Sequence, residues 1–134
     1  MQIILSDHNC EGQAQAIFDI LRYRGGWLEL VPMELAWFRD VQLSATSNDE
    51  IVWRFCQEHR YLLLTGNRRT DDGETSLELI MQRLNSPTSL PIVTIGNLKR
   101  VNVDLSYCER CAERLAEIVY DLERYLGSGR LYLP

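Results

Sequence analysis

Two rhythms of apolar and polar residues run along this chain. Residues 2 to 6, QIILS, form a short apolar run that stops at Asp7. From Cys10 the apolar positions recur every three or four residues, at Cys10, Ala14, Ile17, Phe18 and Leu21, until Gly25 and Gly26 end the pattern. The first rhythm predicts a strand and the second an amphipathic helix. WLELV, residues 27 to 31, predicts a second strand, limited by Pro32, which has no N–H to give to a ladder. Residues 33 to 46 carry Met33, Leu35, Trp37 and Phe38 and fit either a short helix or a packed loop.

The second half is more clearly punctuated. Ser47 with Glu50, Thr75 with Glu78, and Ser106 with Glu109 each have the S/T-x-x-E spacing of a capping box, and each precedes a helical apolar period. Between these helices YLLLT (61 to 65) and PIVTI (91 to 95) predict strands. After Gly127-Ser128-Gly129, RLYL (130 to 133) predicts a final edge strand. Strands thus alternate with helices, and the strands are mostly continuous apolar runs. That pattern predicts an α/β fold, a three-layer α/β/α sandwich with a mainly parallel sheet of four to five strands, covered on both faces. Right-handed crossovers are expected, with the strand carboxyl ends along one rim where such folds carry their sites.

Composition narrows the class without naming an activity. A length of 134 residues predicts one domain over 1–134, and 46% hydrophobic with 25% charged residues is a globular balance. No apolar run approaches the ~18 residues that span a bilayer, and Met1-Gln2 opens directly into a strand, so a soluble cytoplasmic protein without membrane association is expected. The formal charge of -5 argues against bulk attraction to nucleic acid, so a polyanion would need a local basic patch. Cys108 and Cys111 form a C-x-x-C, but they share a helical stripe with Ala112, Leu115, Val119 and Leu122. Structural thiols are therefore expected rather than a zinc or redox site, since Cys10, Cys56, His8 and His59 offer no second paired spacing.

The candidate chemistry gathers at strand ends. The first strand runs into SDHN (Ser6 to Asn9), the third into TGNRRTDDGE (Thr65 to Glu74), and the helix after Ser47 opens with Asn48, Asp49 and Glu50. If the first and third strands are neighbours, Asp7, Asp49 or Glu50, and Asp71 or Asp72 converge. Such a cluster of oxygen ligands suits Mg²⁺ or Mn²⁺. Each acid also has a plainer reading: Glu50 as a capping residue, Asp49 as a first-turn charge, Asp71 and Asp72 as turn residues, and Asp7 as an N-cap. His8 at the same rim is a possible general base with no identified partner.

IILSDHN before a helix, and then TSNDEIVWRFCQEHRYLLLTGN, resemble the compact bacterial PIN-like domains. Their pattern is a strand ending in D-x-N, an acid-rich helix start, and a strand ending in T-x-D. The resemblance covers roughly residues 2 to 95 and implies a metal-dependent ribonuclease of the kind found among toxins of toxin-antitoxin pairs, with Mg²⁺ or Mn²⁺ as cofactor. Carried over, Asp7 matches the first acid, Asn9 the asparagine after it, and Asp49 and Glu50 the second acidic segment. The third acid is Asn67 here, an amide without charge, and Asp71 or Asp72 would have to replace it. Within this reading Asn67 orients water or phosphate, and Arg68 and Arg69 meet the RNA backbone. The plainer role of those arginines is pairing with Asp71 and Asp72. An alternative is a PIN-like module that has lost hydrolysis, in which exposed members of the aromatic set including Trp27, Trp37 and Trp53 form a surface for a small protein partner, an antitoxin or a homodimer. A phosphotransfer or nucleotide-binding domain is disfavoured, because G-x-x-x-x-G-K-[ST] and G-x-G-x-x-G are both missing.

Overall fold

The computed structural model describes the backbone of residues 1–66 and 73–134 and the side chains of 1–66 and 77–134. Five strands, β1 (Gln2–Ser6), β2 (Met33–Ala36), β3 (Leu62–Gly66), β4 (Ile92–Ile95) and β5 (Arg130–Leu133), pair in the order β2-β1-β3-β4-β5, every pair parallel. Six α-helices flank them: α1 (Glu11–Tyr23), α2 (Trp27–Leu30), α3 (Asp49–His59), α4 (Gly73–Leu84), α5 (Leu98–Val103) and α6 (Leu105–Tyr120). This is the expected three-layer α/β/α sandwich, and the final RLYL strand takes its place at the edge beside β4. No described helix is long and apolar enough to cross a membrane.

The two faces of the sheet have separate cores. Ile4, Leu62, Leu64, Val93 and Ile95 pack against Ala14, Ile17, Phe18 and Leu21 of α1 and Cys108, Cys111, Ala112 and Leu115 of α6. Leu5, Leu63 and Ile92 point the other way, to Val52, Trp53 and Cys56 of α3 and Leu77 and Met81 of α4. The strict alternation within each strand is what lets continuous apolar runs serve both cores. All four cysteines are free and buried, Cys108 and Cys111 on the α6 stripe as the helical spacing predicts.

Lateral direction and face together set the hand of each connection. The chain moves one way from β1 to β2 over the α1 face, and the other way from β2 to β3 and β3 to β4 over the α3–α4 face, so these three share one hand. From β4 to β5 it moves in that second direction but over the α1 face, through α5 and α6. This crossover has the opposite hand, against the expectation of uniformly right-handed connections. In β5, Leu131 and Leu133 join the α6-side core beside Val93 and Ile95, while Arg130 and Tyr132 alternate to the other face. Arg130 there donates to Thr94 Oγ1 at 3.0 Å and pairs with Glu78 at 3.3 Å.

Several local expectations need correction. WLELV is a helical turn, because Gly25 (φ 75°) and Gly26 (φ 65°) reverse the chain in left-handed conformations and the Val31 N–H donates to Trp27 O at 2.7 Å. The strand instead is Met33–Ala36, followed by a 3₁₀ turn at Phe38–Val41, so residues 33 to 46 contain both an edge strand and a turn. The capping residues also differ. Asn48 caps α3 by accepting the Ile51 N–H at 2.9 Å, while Ser47 Oγ accepts the Ser44 N–H at 3.0 Å and closes a preceding turn. Asp104 caps α6 by accepting the Tyr107 N–H at 3.2 Å, which leaves Ser106 inside the helix, and Thr75 likewise lies inside α4. At the end of β3, Gly66 lets the Leu98 side chain of α5 pack close to the strand, since a Cβ there would lie 2.5 Å from Leu98 Cδ1.

Candidate active site at the carboxyl ends of β1 and β3

The strand order reverses between β1 and β3, because β1 leads to β2 on one side while β3 lies on the other. In open parallel sheets this divergence leaves a crevice at the carboxyl ends of the two strands. Asp7 follows β1 at that point. Its N–H donates to Leu64 O at 2.8 Å, extending the ladder by one residue, and its carboxylate Oδ2 accepts from Thr65 Oγ1 at 2.8 Å. The register that aligns Ser6 with Leu64 sets Asp7 beside Thr65 on the α3 face. Asp7 stands at the N-cap position of the 3₁₀ turn His8–Cys10, yet its side chain makes no capping bond. The carboxylate is directed to β3 and the crevice instead.

A cavity of about 210 Å³ opens here, and Asp7, His8, Asn9, Thr46, Ser47 and Asp49 supply its polar lining. Asp49 arrives at the first turn of α3, so two carboxylates from separate elements share one space. Asn9 is the unusual member. Both its Oδ1 and Nδ2 are buried and have no hydrogen-bond partner among the described residues. An orphaned buried amide costs roughly 1–3 kcal/mol per polar group, which a ligand entering the cavity can recover. His8 is 59% exposed and lies 3.9 Å from Glu11 through Nδ1.

Glu50 stands apart. Arg54 Nε meets one of its carboxylate oxygens at 3.0 Å and Arg83 the other, and the pair of guanidinium hydrogen bonds, Arg54's first, holds its carboxyl below the ordinary value. It lines a neighbouring cavity with Asn48, Asp49, Ile51, Arg54 and Ile80, and among the described residues only Asp49 belongs to both spaces. Asn67, Arg68, Arg69, Asp71 and Asp72 lie outside the described residues. Among the described residues no three His, Cys, Asp or Glu side chains form a group able to hold a metal. Thr65 had no role in the sequence reading, although a polar residue ending the LLLT run at the level of Asp7 was the signal for one.

No family model, curated protein or solved structure matches the chain. Fold and cavity therefore define a class, a parallel α/β protein with a two-carboxylate crevice at its switch point, and the chemistry of the donors carries the functional reading.

Proposed function

We propose that the protein is a metal-dependent ribonuclease of PIN-like kind that works in the cytoplasm, with Asp7 and Asp49 as its metal-holding carboxylates. The observation that carries this reading is the cavity they share with the unpartnered amide of Asn9. Oxygen donors of this type suit Mg²⁺ or Mn²⁺, which hold several waters and need few protein ligands. When bound, such an ion supplies Lewis-acid stabilisation to a phosphoryl group and activates water. Asp71 or Asp72 is proposed as a third carboxylate, and Arg68 and Arg69 as phosphate contacts. Thr65 orients Asp7, and the Asn9 amide offers N–H to a phosphoryl oxygen and Oδ1 to water.

Asn67 favours a second reading. Where the resembling domains carry an aspartate this chain has a neutral amide, so a module that binds RNA or a small protein partner such as an antitoxin, without hydrolysis, is the alternative. Mn²⁺ titration and hydrolysis of a single-stranded RNA by the wild type and Asp7→Asn separate the two. Wild-type Mn²⁺ binding, weakened by about tenfold or more in Asp7→Asn, is the expected result, since one of two carboxylates is lost. Equal Mn²⁺ affinity in the two proteins would remove the proposed site. Binding without cleavage selects the second reading.

A further inference from the structure

The acidic cavity has a cationic neighbour that neither the motifs nor the proposed metal site accounts for. β1 and β2 pair as far as Leu5 opposite Ala36, and the chain then enters the turn that carries Trp37, Phe38 and Arg39. Phe38 is buried and lines the cavity, and Arg39 after it reaches Glu11, which lies 3.9 Å from His8 of the cavity wall. The turn is held in place: the Trp37 N–H donates to Asp40 Oδ2 at 2.9 Å and the Asp40 N–H to Trp37 O at 3.0 Å. The indole packs partly into the α1-side core, and the Arg39 guanidinium lies over its ring, 5.3 Å from the centroid.

Arg39 is thereby positioned but not consumed. Its side chain is 67% exposed, its nearest acid is Glu11 at 3.6 Å, and it makes no hydrogen bond among the described residues. A guanidinium laid on an aromatic face keeps its N–H edge directed outward, and that edge matches the fork geometry of a phosphate. A guanidinium held beside the cavity wall offers an approaching phosphodiester a fixed cation.

We propose that Arg39 grips a backbone phosphate of single-stranded nucleic acid beside the Asp7–Asp49 cavity, with Trp37 as the positioning residue and Glu11 as the carboxylate that the phosphate displaces. The proposal deepens the nucleic-acid reading above and rests on it for the identity of the ligand. Because the contact is to phosphate, it adds affinity without sequence preference.

The test is fluorescence anisotropy of a labelled 12-nucleotide single-stranded RNA, and of DNA of the same sequence, with the full chain over 50 to 200 mM salt. Arg39→Gln is expected to weaken binding about tenfold and to reduce the slope of log affinity against log salt by about 0.7, the contribution of one phosphate on a single strand. Trp37→Leu is expected to weaken binding while leaving that slope unchanged, since the charge remains. Glu11→Gln is expected to tighten binding. Equal affinity for RNA and DNA assigns the shared phosphodiester backbone as the ligand, and an RNA preference adds the 2′-hydroxyl without moving Arg39. Unchanged affinity and slope in Arg39→Gln, or no binding of either strand by the wild type, overturns the proposal. RNA cleavage is measured in parallel: Asp7→Asn losing cleavage while Arg39→Gln binds normally removes this inference alone. Arg39→Gln losing affinity while the wild type cleaves nothing removes the hydrolytic reading alone.

Discussion

Glu50 shows how a single residue can be correct in sequence and differently employed in space. It lies in the second acidic segment, one position from Asp49, but a helix turns 100° per residue and the two side chains diverge. Asp49 enters the cavity with Asp7, whereas Glu50 is taken by Arg54 one turn along and by Arg83 from α4. Those partners lower its carboxyl below the ordinary value of 4.5. A depressed folded-state value means that its stabilising contribution is fully present above about 4.5 and is lost as pH falls through the folded value. Thermal unfolding from pH 3 to 6 should therefore show a shallower acid slope in Glu50→Gln than in the wild type. An identical slope would mean that the ion pairs contribute nothing in solution, a real outcome for exposed pairs. Asp7 and Asp49 were legible from their places after a strand and at a helix start. The orphaned amide of Asn9 and the Thr65–Asp7 bond were not, because both depend on which strands are neighbours.

At the scale of elements, apolar periodicity located α1, α3, α4, α6 and four strands, and failed where geometry is decided by turns. WLELV has the composition of a strand, yet two left-handed glycines aim it so that a helical turn buries Val31 and packs Trp27 partly against the same core. Helix starts were found to within one to three residues, while the capping residues of α3 and α6 were misassigned; at α3, Ser47, Asn48 and Asp49 can all cap and only the preceding turn selects among them. Asn48→Ala should cost about 1 kcal/mol in urea-induced unfolding, with Ser47→Ala costing less. A larger loss from Ser47→Ala would contradict the observed cap.

For the whole molecule, the two cores keep four free thiols buried. Burial, with the nearby Asp7 charge, pushes the Cys56 thiol up to about 12, and burial pushes Cys111 up to about 11 and raises Cys108. At pH 8 the thiolate fraction at Cys56 is then on the order of one in ten thousand. Iodoacetamide should label the native protein slowly and at a rate that follows unfolding with added denaturant. Rapid native labelling of either C-x-x-C thiol would restore the redox reading that the helical stripe excludes. The amino-acid pattern by itself determined the layered α/β class, the buried stripe of α6 and the placement of Asp7 after a strand and Asp49 at a helix start, because these follow from local periodicity and chain punctuation. Only the tertiary structure decided the strand order, the opposite hand of the last crossover, the divergence of Glu50 from Asp49, and the meeting of Asp7, Asn9 and Asp49 at one cavity. Each of those depends on which distant segments pack together, a choice made by the fit of whole faces rather than by any one stretch of chain.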